Sequence, residues 1–310
     1  MKTRRWLGWG IAALLIALVL SLAGLERLGK LLVSIRGEEL LWAALASAAS
    51  LGFRAIRLSL LLRPGELGPL RAFPLTAVAQ TAAVFIPARL GELALPLLLQ
   101  KATGRTKSSG IAILLASRTL DTAALGAWAL AALILRRNLH APVFLAAGAL
   151  LFLPLLLLPL ILTRADNMLA RRETGWSGKT LIWAERIHQI RQGLDEALHH
   201  PSRLALAATA CLGSWGCQWI LTWKLLAGMG FDWPAWDIVT GAAAASLSNL
   251  LPLSIVANLG TLEAGWTAAF AAMGIPAATA AATGFATHIW ALVLAAVIGA
   301  ICWPLLPGRD

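Results

Sequence analysis

The sequence predicts an all-α polytopic membrane protein with about six full transmembrane helices and two re-entrant helical hairpins in an inverted-repeat arrangement. Of its 310 residues, 59% are hydrophobic and 13% are charged, whereas soluble domains are about half apolar and a quarter charged. Apolar runs of about 20 residues, the length that crosses a bilayer, recur along most of the chain. No remaining stretch could form a soluble domain of about 100 residues, so we interpret residues 1–310 as one integral membrane domain.

Several apolar segments have the length and composition of full membrane spans. They are, in chain order, Leu7–Leu25, Glu39–Leu62, Ser109–Leu135, Ala141–Thr163, Leu204–Gly230 and Ala277–Leu306. The first of these could instead be a signal peptide. Its apolar core is longer than the roughly 7–15 residues usual for one, which favours an uncleaved span.

The net charge of +11 is distributed as expected for membrane topology rather than for nucleic-acid binding. Basic residues before the first span predict a cytoplasmic N-terminus by the positive-inside rule. With alternating spans, the cytoplasmic basic residues are Lys2, Arg4, Arg5, Arg63, Arg71, Lys101, Arg105, Lys107, Arg164, Arg171, Arg172, Lys179, Arg186, Arg191, Arg203 and Arg309, and the external ones are Arg27, Lys30, Arg36, Arg136 and Arg137. We therefore expect both termini in the cytoplasm, a cytoplasmic (inner) membrane location and no nucleic-acid partner.

The segment Ala72–Gln100 is apolar but does not have the pattern of a single straight span. As one helix it would be about 43 Å long, well over a hydrocarbon core of about 30 Å. Pro87 and Gly91 lie at its middle, where a helix would break. Basic residues flank both ends. The segment therefore predicts a hairpin of two half-helices that is re-entrant from the cytoplasmic side.

The segment Trp236–Met273 repeats this pattern, with an apolar run, a break at Pro252, a turn containing Gly260 and another apolar run. Its turn, LPLSIVANLGTLEAG, contains no charge before Glu263. A turn exposed to the cytoplasm would normally contain Lys or Arg, so we expect a hairpin that enters from the external side. Two short full spans remain the alternative, because both arrangements return the chain to the same side.

The two halves of the chain, about 39–135 and 204–306, mirror each other as span, hairpin, span. The motif P-x-x-L-G-E at Pro87–Glu92 has a weak counterpart at Pro252, Leu259, Gly260 and Glu263. Inverted repeats with broken helices at corresponding places are typical of transporters, whose substrate site lies near the midplane. The alternative is that Pro and Gly are simply common in membrane helices.

Charged residues inside the apolar segments need a reason, because each costs at least about 2.5–3.5 kcal/mol at the bilayer centre. Arginine exceeds acid in the cytoplasmic half, and guanidinium groups match the geometry of phosphate. The candidate phosphate ligands are Arg54, Arg57, Arg89 and Arg118, with Glu92, Asp121, Glu263 and Asn249 as supporting residues. The alternative is structural pairing, since Arg89/Glu92 and Arg118/Asp121 are spaced i, i+3 on one helical face.

The buried residues contain no His–Asp, Ser–His or metal-ligand arrangement, so we expect no catalytic centre, metal or cofactor. The loop of about 164–203 contains KTLIWAERIHQIRQGLDEAL, in which apolar residues recur at helical spacing on one side. This pattern predicts an amphipathic helix on the membrane surface. The SGKT at Ser177–Thr180 is not a P-loop, because Glu173 stands where the first glycine is required.

The stretches FIPARLGELALPLLL, SRTLD and LPLSIVANLGTLEAG resemble the flippase-like membrane domain of lysylphosphatidylglycerol synthases. The family pattern maps onto Pro87, Arg89, Gly91, Glu92, Arg118 and Asp121, and more loosely onto Pro252, Gly260 and Glu263. The chain departs from it at Ser117, where the family often has Glu, and in a second turn with fewer glycines. The resemblance implies a membrane domain that moves, or helps to move, a phospholipid or polyprenyl-linked lipid. We expect no aminoacyltransferase domain, and we therefore do not expect the chain to make lysyl-lipid itself.

Three functional hypotheses follow for a protein whose partners are membrane lipids. In the first, it translocates an anionic phospholipid or polyprenyl-phosphate lipid, with Arg89 and Arg118 holding the phosphate and Arg54 and Arg57 assisting at the entrance. In the second, it presents lipid to a separate glycosyl- or aminoacyl-transferase. In the third, which the lack of a nucleophile disfavours, it is an enzyme acting on a lipid phosphate. The sequence also leaves a homo-oligomer open.

Overall fold

The computed structural model describes residues 16–136, 157–170, 179–248 and 258–307, and all regular secondary structure in these ranges is helical. Residues 16–23 form a helical segment. The helices that follow are α1 (Leu25–Val33), α2 (Gly37–Leu61), α3 (Pro69–Phe85), α4 (Ala94–Thr103), α5 (Lys107–Arg136), α6 (Leu158–Ala170), α7 (Lys179–Leu198), α8 (Pro201–Gly228), α9 (Ala235–Ser248), α10 (Thr261–Ala272) and α11 (Ala277–Cys302). Short 3₁₀ helices occupy Pro87–Leu93 and Trp303–Leu305.

Helices in the described residues that are long and apolar enough to cross a membrane are Gly37–Leu61, Lys107–Leu135, Pro201–Gly228 and Ala277–Leu305. They coincide with four of the six predicted spans, which confirms an all-α, multi-pass membrane protein. The predicted span Ala141–Thr163 lies mostly outside the described residues, and so does the first part of Leu7–Leu25.

Proline and glycine set several helix boundaries. Pro69 and Pro201 occupy the first turns of α3 and α8, where a missing backbone N–H leaves no hydrogen bond unmade. Helix α4 ends at Gly104, whose φ of 75° is a left-handed conformation that glycine adopts without a steric penalty. Pro69 and Pro201 thus mark where α3 and α8 begin, and Gly104 marks where α4 ends.

Helices α2 and α8 pack antiparallel and define two opposite ends of the fold. At one end the guanidinium of Arg36 donates to the backbone oxygen of Ala227 at 3.0 Å. At the other end the guanidinium of Arg203 donates to the backbone oxygen of Ser59 at 3.1 Å. We refer to the first as the Gly228 end and to the second as the Arg105 end, after a residue that lies at each.

The first predicted hairpin is a broken helix that reverses direction. Helix α3 stops at Ile86, which is extended with ψ of 123°, and the 3₁₀ turn Pro87–Leu93 leads into α4. Glu66 precedes α3, Arg105 follows α4, and their side chains form a salt bridge at 2.5 Å. Both ends of the hairpin therefore lie together at the Arg105 end. The break predicted from Pro87 and Gly91 is confirmed.

The second hairpin consists of α9 and α10, and residues 249–257 between them, with Asn249 and Pro252, lie outside the described residues. Its two ends lie together, because the rings of Trp233, before α9, and Phe270, near the end of α10, are 4.9 Å apart. Residues 228–234 continue directly from α8, so this hairpin opens at the Gly228 end. The two hairpins open at opposite ends. Their re-entry into the bilayer and the inverted repeat stay predictions.

The predicted amphipathic helix is present as α7, but part of its apolar face is covered by protein. Leu194 is buried, and Gly193 packs so closely on α5 that a Cβ there would lie 2.9 Å from the Cβ of Ala112. Asp166 of α6 accepts a hydrogen bond from Nε of Arg191 of α7 at 2.5 Å. The C-terminal half of α7 is therefore docked on α5 and α6 rather than lying freely on lipid.

A charge network joins the loops at the Arg105 end. Arg105 donates to both carboxylate oxygens of Glu66, at 2.5 and 2.7 Å, and to Glu196 at 3.2 Å. Partial burial opposes ionisation of Glu66, but the hydrogen bonds and charge of Arg105 outweigh it and lower the pKa of Glu66. Arg63 and Arg105 likewise overcome the desolvation of Glu196 and lower its pKa. Both carboxylates therefore stabilise the folded protein in their ionised form.

This network should make the protein lose stability on acidification. A carboxylate with a lowered folded pKa contributes stability that is present above its ordinary pKa of about 4.3 and is lost as pH falls through the folded value. In the double variant Glu66→Gln/Glu196→Gln we expect a lower thermal unfolding midpoint at pH 7 and a weaker decline between pH 6 and pH 3. The measurement is thermal unfolding in detergent across pH. Glu26→Gln, at an exposed residue, is the matched control, and an acid-side decline unchanged in the double variant would contradict the prediction.

Candidate functional site

A cavity of about 300 Å³, lined by both polar and apolar side chains, lies between the two hairpins. Helices α2 and α3 line one side, and α8, α9, α10 and α11 line the others. Its polar lining includes Arg54, Gln80, Gln218, Ser246, Asn258 and His288. Since both hairpins contribute to the lining, a movement of either hairpin would change the shape of the cavity.

Arg54 lies where this central cavity meets a smaller pocket of about 50 Å³. Its guanidinium donates to the hydroxyl of Ser214 at 3.1 Å and to the amide oxygen of Gln80 at 3.4 Å. The carboxylate of Asp121 is 3.9 Å away, beyond hydrogen-bond distance. Arg54 is therefore held mostly by neutral groups, and its charge is only partly compensated.

Arg57 and Asp121 form a buried ion pair between α2 and α5, with 2.5 Å between Nη1 and Oδ1. The same Nη1 also contacts the sulfur of Cys211 at 3.3 Å. Within the described part of the chain, Nε of Arg57 has no hydrogen-bond partner although it is buried. The buried position and the short contact match the structural-pairing alternative for Arg57.

Arg118 of α5 pairs with Glu92 at the tip of the first hairpin, at 3.2 Å from Nε and 3.1 Å from Nη2. The two side chains retain 35% and 24% exposure and line the smaller pocket. The pair that the sequence suggested, Arg118 with Asp121, is not formed, because each of these residues finds an opposite charge on another segment. Arg118 is thus a paired but accessible cation, unlike Arg57.

Of the remaining predicted site residues, the structure describes the side chain of Glu263, which lies outside this cluster. The backbone of Arg89 lies in the 3₁₀ turn, but the structure does not describe its side chain. The predicted pairing of Arg89 with Glu92 therefore stays a prediction. Glu263 is 0% exposed; its carboxylate accepts from the backbone N–H of Gly260 at 2.6 Å and lies 2.5 Å from Nδ1 of His288. Gly260 has φ of 87°, which favours glycine there. Glu263 thus fixes the start of α10 beside the cavity without opening into it.

The profile of the family described as lysylphosphatidylglycerol synthase TM region matches residues 5–299. The chain belongs to this family. The comparisons with curated proteins and with solved structures gave no match. Membership of the lysylphosphatidylglycerol synthase TM family, together with the apolar helices, makes this a multi-pass membrane protein related to lipid modification or handling.

In this member of the lysylphosphatidylglycerol synthase TM family, the structure brings together Arg54, Arg57, Glu92, Arg118 and Asp121, which the sequence had singled out. The described cluster contains one more arginine than carboxylate, in agreement with the predicted excess. No group of three or more His, Cys, Asp or Glu in the described ranges could hold a metal ion.

Sequence reasoning missed the neutral residues of the cavity. Gln80 and Gln218 line it from α3 and α8, and Trp215 and Trp219 of α8 also line it. A signal was present, because an amide side chain within an apolar membrane helix is itself unusual. Nothing in the sequence indicated that helices so far apart in the chain would meet around one cavity.

Proposed function

We propose that the protein translocates a phospholipid or a polyprenyl-phosphate-linked lipid between leaflets, with its headgroup passing through the central cavity. The observation that carries this proposal is a cavity that contains an arginine and several amide groups and is lined by two hairpins that open at opposite ends of the fold. Movement of one hairpin and then the other would open the cavity first to one leaflet and then to the other. The acyl or prenyl chains would remain in the bilayer.

In this proposal Arg54 is the main ligand of the lipid phosphate in the cavity. It lines the cavity, and its neutral partners can be exchanged for phosphate oxygens without leaving a carboxylate unpaired. Arg118, together with Arg89, would meet the phosphate at the tip of the first hairpin, where Arg118 exchanges Glu92 for the ligand. Arg57 and Asp121 would hold α2 against α5 throughout.

We also propose the membrane orientation. The Arg105 end carries Arg63, Arg105 and Arg203, and by the positive-inside rule it would face the cytoplasm. Both termini would then be cytoplasmic, in the cytoplasmic (inner) membrane. The first hairpin would re-enter from the cytoplasmic side and the second from the external side.

The test is leaflet exchange of fluorescent phospholipids and labelled polyprenyl phosphates in vesicles that contain only the purified protein. We expect Arg54→Gln to slow exchange by about 10- to 100-fold, because a hydrogen bond to a charged group contributes about 1.5–3 kcal/mol. Arg118→Ala and Arg89→Ala should slow it less. Arg71→Ala, which removes an exposed arginine at the start of α3, is the matched control and should leave exchange unchanged.

The outcomes separate three interpretations. Exchange that is lost in folded Arg54→Gln supports a phosphate site in the cavity. If lipid exchange persists in all three arginine variants, these arginines do not bind the lipid phosphate and serve only in structural pairing. Failure of the wild-type protein to move any of the lipids would overturn self-sufficient translocation.

A second candidate function is a non-catalytic partner that presents lipid to a separate glycosyl- or aminoacyl-transferase. The family description favours it, because this family is the membrane region of a synthase. We propose no enzymatic role for the chain itself. A wild-type protein that binds the labelled lipids in detergent but does not exchange them between leaflets would support the partner function.

A further inference from the structure

A histidine–glutamate pair between α11 and α10 takes no part in the proposed phosphate site. His288 lies near the middle of α11, and its Nδ1 is 2.5 Å from Oε1 of the fully buried Glu263. The other carboxylate oxygen, Oε2, accepts the backbone N–H of Gly260 at 2.6 Å. The cap of α10 therefore uses one oxygen of Glu263, and the imidazole is bound to the other.

The imidazole of His288 is also open to the central cavity. The side chain keeps 10% exposure and lines the cavity. Its Nε2 forms no hydrogen bond within the described ranges and is not one of their buried unpartnered nitrogens, so it is accessible. Because an ionised carboxylate can only accept, Nδ1 carries the hydrogen, and Nε2 of the neutral ring has a free lone pair. This lone pair can take up a proton without breaking the bond to Glu263.

Uptake of a proton would compensate a charge that is unfavourable inside a membrane. With a neutral imidazole, the pair carries one negative charge on a carboxylate that has no exposed surface. Protonation of Nε2 converts it into an imidazolium–carboxylate pair without net charge, which lowers the cost of burying the carboxylate. Histidine is also the side chain best suited to exchange a proton near neutral pH.

The charge that opposes this uptake is that of Arg54. Arg54 of α2 and His288 itself are the titratable side chains among the described residues that line the cavity. Apart from Glu263 on α10, the other described helices packed on α11 bring no charge to the cavity: α3 and α8 contribute uncharged side chains such as Gln80 and Gln218, and the charged residues of α1 are exposed. A guanidinium in the same cavity disfavours a second cation, and an anion bound there favours it. Protonation of His288 and binding of an anion should therefore be coupled.

We propose that His288 and Glu263 form a proton-binding site, which takes up one proton when an anionic headgroup enters the cavity and releases it when the headgroup leaves. The proton comes from the aqueous phase and binds to the lone pair of Nε2, while the hydrogen on Nδ1 stays in the bond to Glu263. Because coupling is reciprocal, the proton strengthens headgroup binding by the same factor as the headgroup strengthens proton binding. The inference rests on the proposed translocation and adds a driving force to it, since a lipid that crosses with a proton responds to a pH difference across the membrane.

The first test measures binding in detergent, where no lipid has to cross a membrane. The probe is short-chain phosphatidylglycerol, whose phosphodiester keeps its negative charge between pH 6 and pH 8. The wild type should bind it at least about 10-fold more tightly at pH 6 than at pH 8, because coupling between two sites is typically about 5- to 150-fold. It should also take up protons from a weakly buffered solution as the lipid binds.

His288→Gln, whose amide can still donate to Glu263, should bind the probe equally at both pH values and take up no proton. His199→Gln is the matched control, because His199 is exposed and does not line the cavity. This variant should keep the pH dependence of the wild type.

The second test measures the distribution of labelled phosphatidylglycerol in vesicles with a pH difference across the membrane and the electrical potential held at zero. The wild type should concentrate the label in the leaflet on the alkaline side, because proton and lipid cross together. His288→Gln should leave the label evenly distributed, and His199→Gln should behave as the wild type.

The two tests fail separately. If labelled lipid crosses but ignores the pH difference, proton-linked transport is overturned and translocation itself stands. If no lipid crosses, translocation fails, and the proton site is decided by the binding test. There, equal affinity at the two pH values, no binding at either, or a pH dependence that persists in folded His288→Gln overturns the site.

Discussion

Replacing Asp121 with alanine is expected to lower the free energy of unfolding by about 3–5 kcal/mol, because it leaves a buried charge without its partner. Arg57 would keep only the contact with Cys211, and its Nε already has no partner in the described residues. Arg54 would also lose its nearest carboxylate. The measurement is the thermal unfolding midpoint of the purified protein in detergent, which should fall by at least about 5 °C.

Two control variants show whether the loss comes from an uncompensated charge. Asp195→Ala removes a carboxylate from an exposed pair with Arg191 and should cost less than about 1 kcal/mol. Arg57→Leu/Asp121→Leu removes both buried charges and should recover much of the stability, because apolar replacement of a buried ion pair is often neutral. A double variant as unstable as Asp121→Ala would show that shape, not charge, dominates at this position.

Gly91→Ala is expected to displace the tip of the first hairpin and to abolish most lipid exchange. A Cβ on Gly91 would lie 1.9 Å from the backbone oxygen of Ala82 and 2.8 Å from the Cα of Ala83, so the backbone itself must move. Overpacking of this kind costs about 1–3 kcal/mol, and more where the backbone cannot shift. Because Glu92 is the next residue, the shift should also separate it from Arg118. Unfolding midpoint and leaflet exchange should both decrease.

The matched control is Gly126→Ala in α5, where nothing lies within 4 Å of the added Cβ. There alanine should increase stability by about 0.5–1 kcal/mol, because glycine in a helix interior loses more conformational freedom on folding. If Gly91→Ala has the same unfolding midpoint and the same rate of lipid exchange as the wild type, the hairpin does not need its close packing on α3.

The membrane spans and the first helix break could be predicted because their causes are local. Length and hydropathy locate four described spans within a few residues, and Pro87 begins the 3₁₀ turn that ends α3. The second hairpin was predicted in the same way, and its two helices are present on either side of residues 249–257, which the structure does not describe. Each of these features depends on residues that are neighbours in the chain.

The partners of the charged residues could not be predicted from spacing. The pattern i, i+3 suggested Arg118 with Asp121, but Asp121 pairs with Arg57, 64 positions away, and Arg118 with Glu92. A salt bridge forms where two side chains meet in space, and helix packing decides which side chains meet.

The sequence by itself determined that this is a helical membrane protein, where its described spans lie, and that arginines outnumber acids in the apolar segments around the first hairpin. Only the tertiary structure decided which arginine keeps a charge that is not fully compensated, and that Gln80, Trp219 and His288 surround one cavity with it. The physical reason is that hydropathy and helix breaking act between neighbouring residues. A cavity and its electrostatics depend on helices that are distant in the chain and are brought together only by folding.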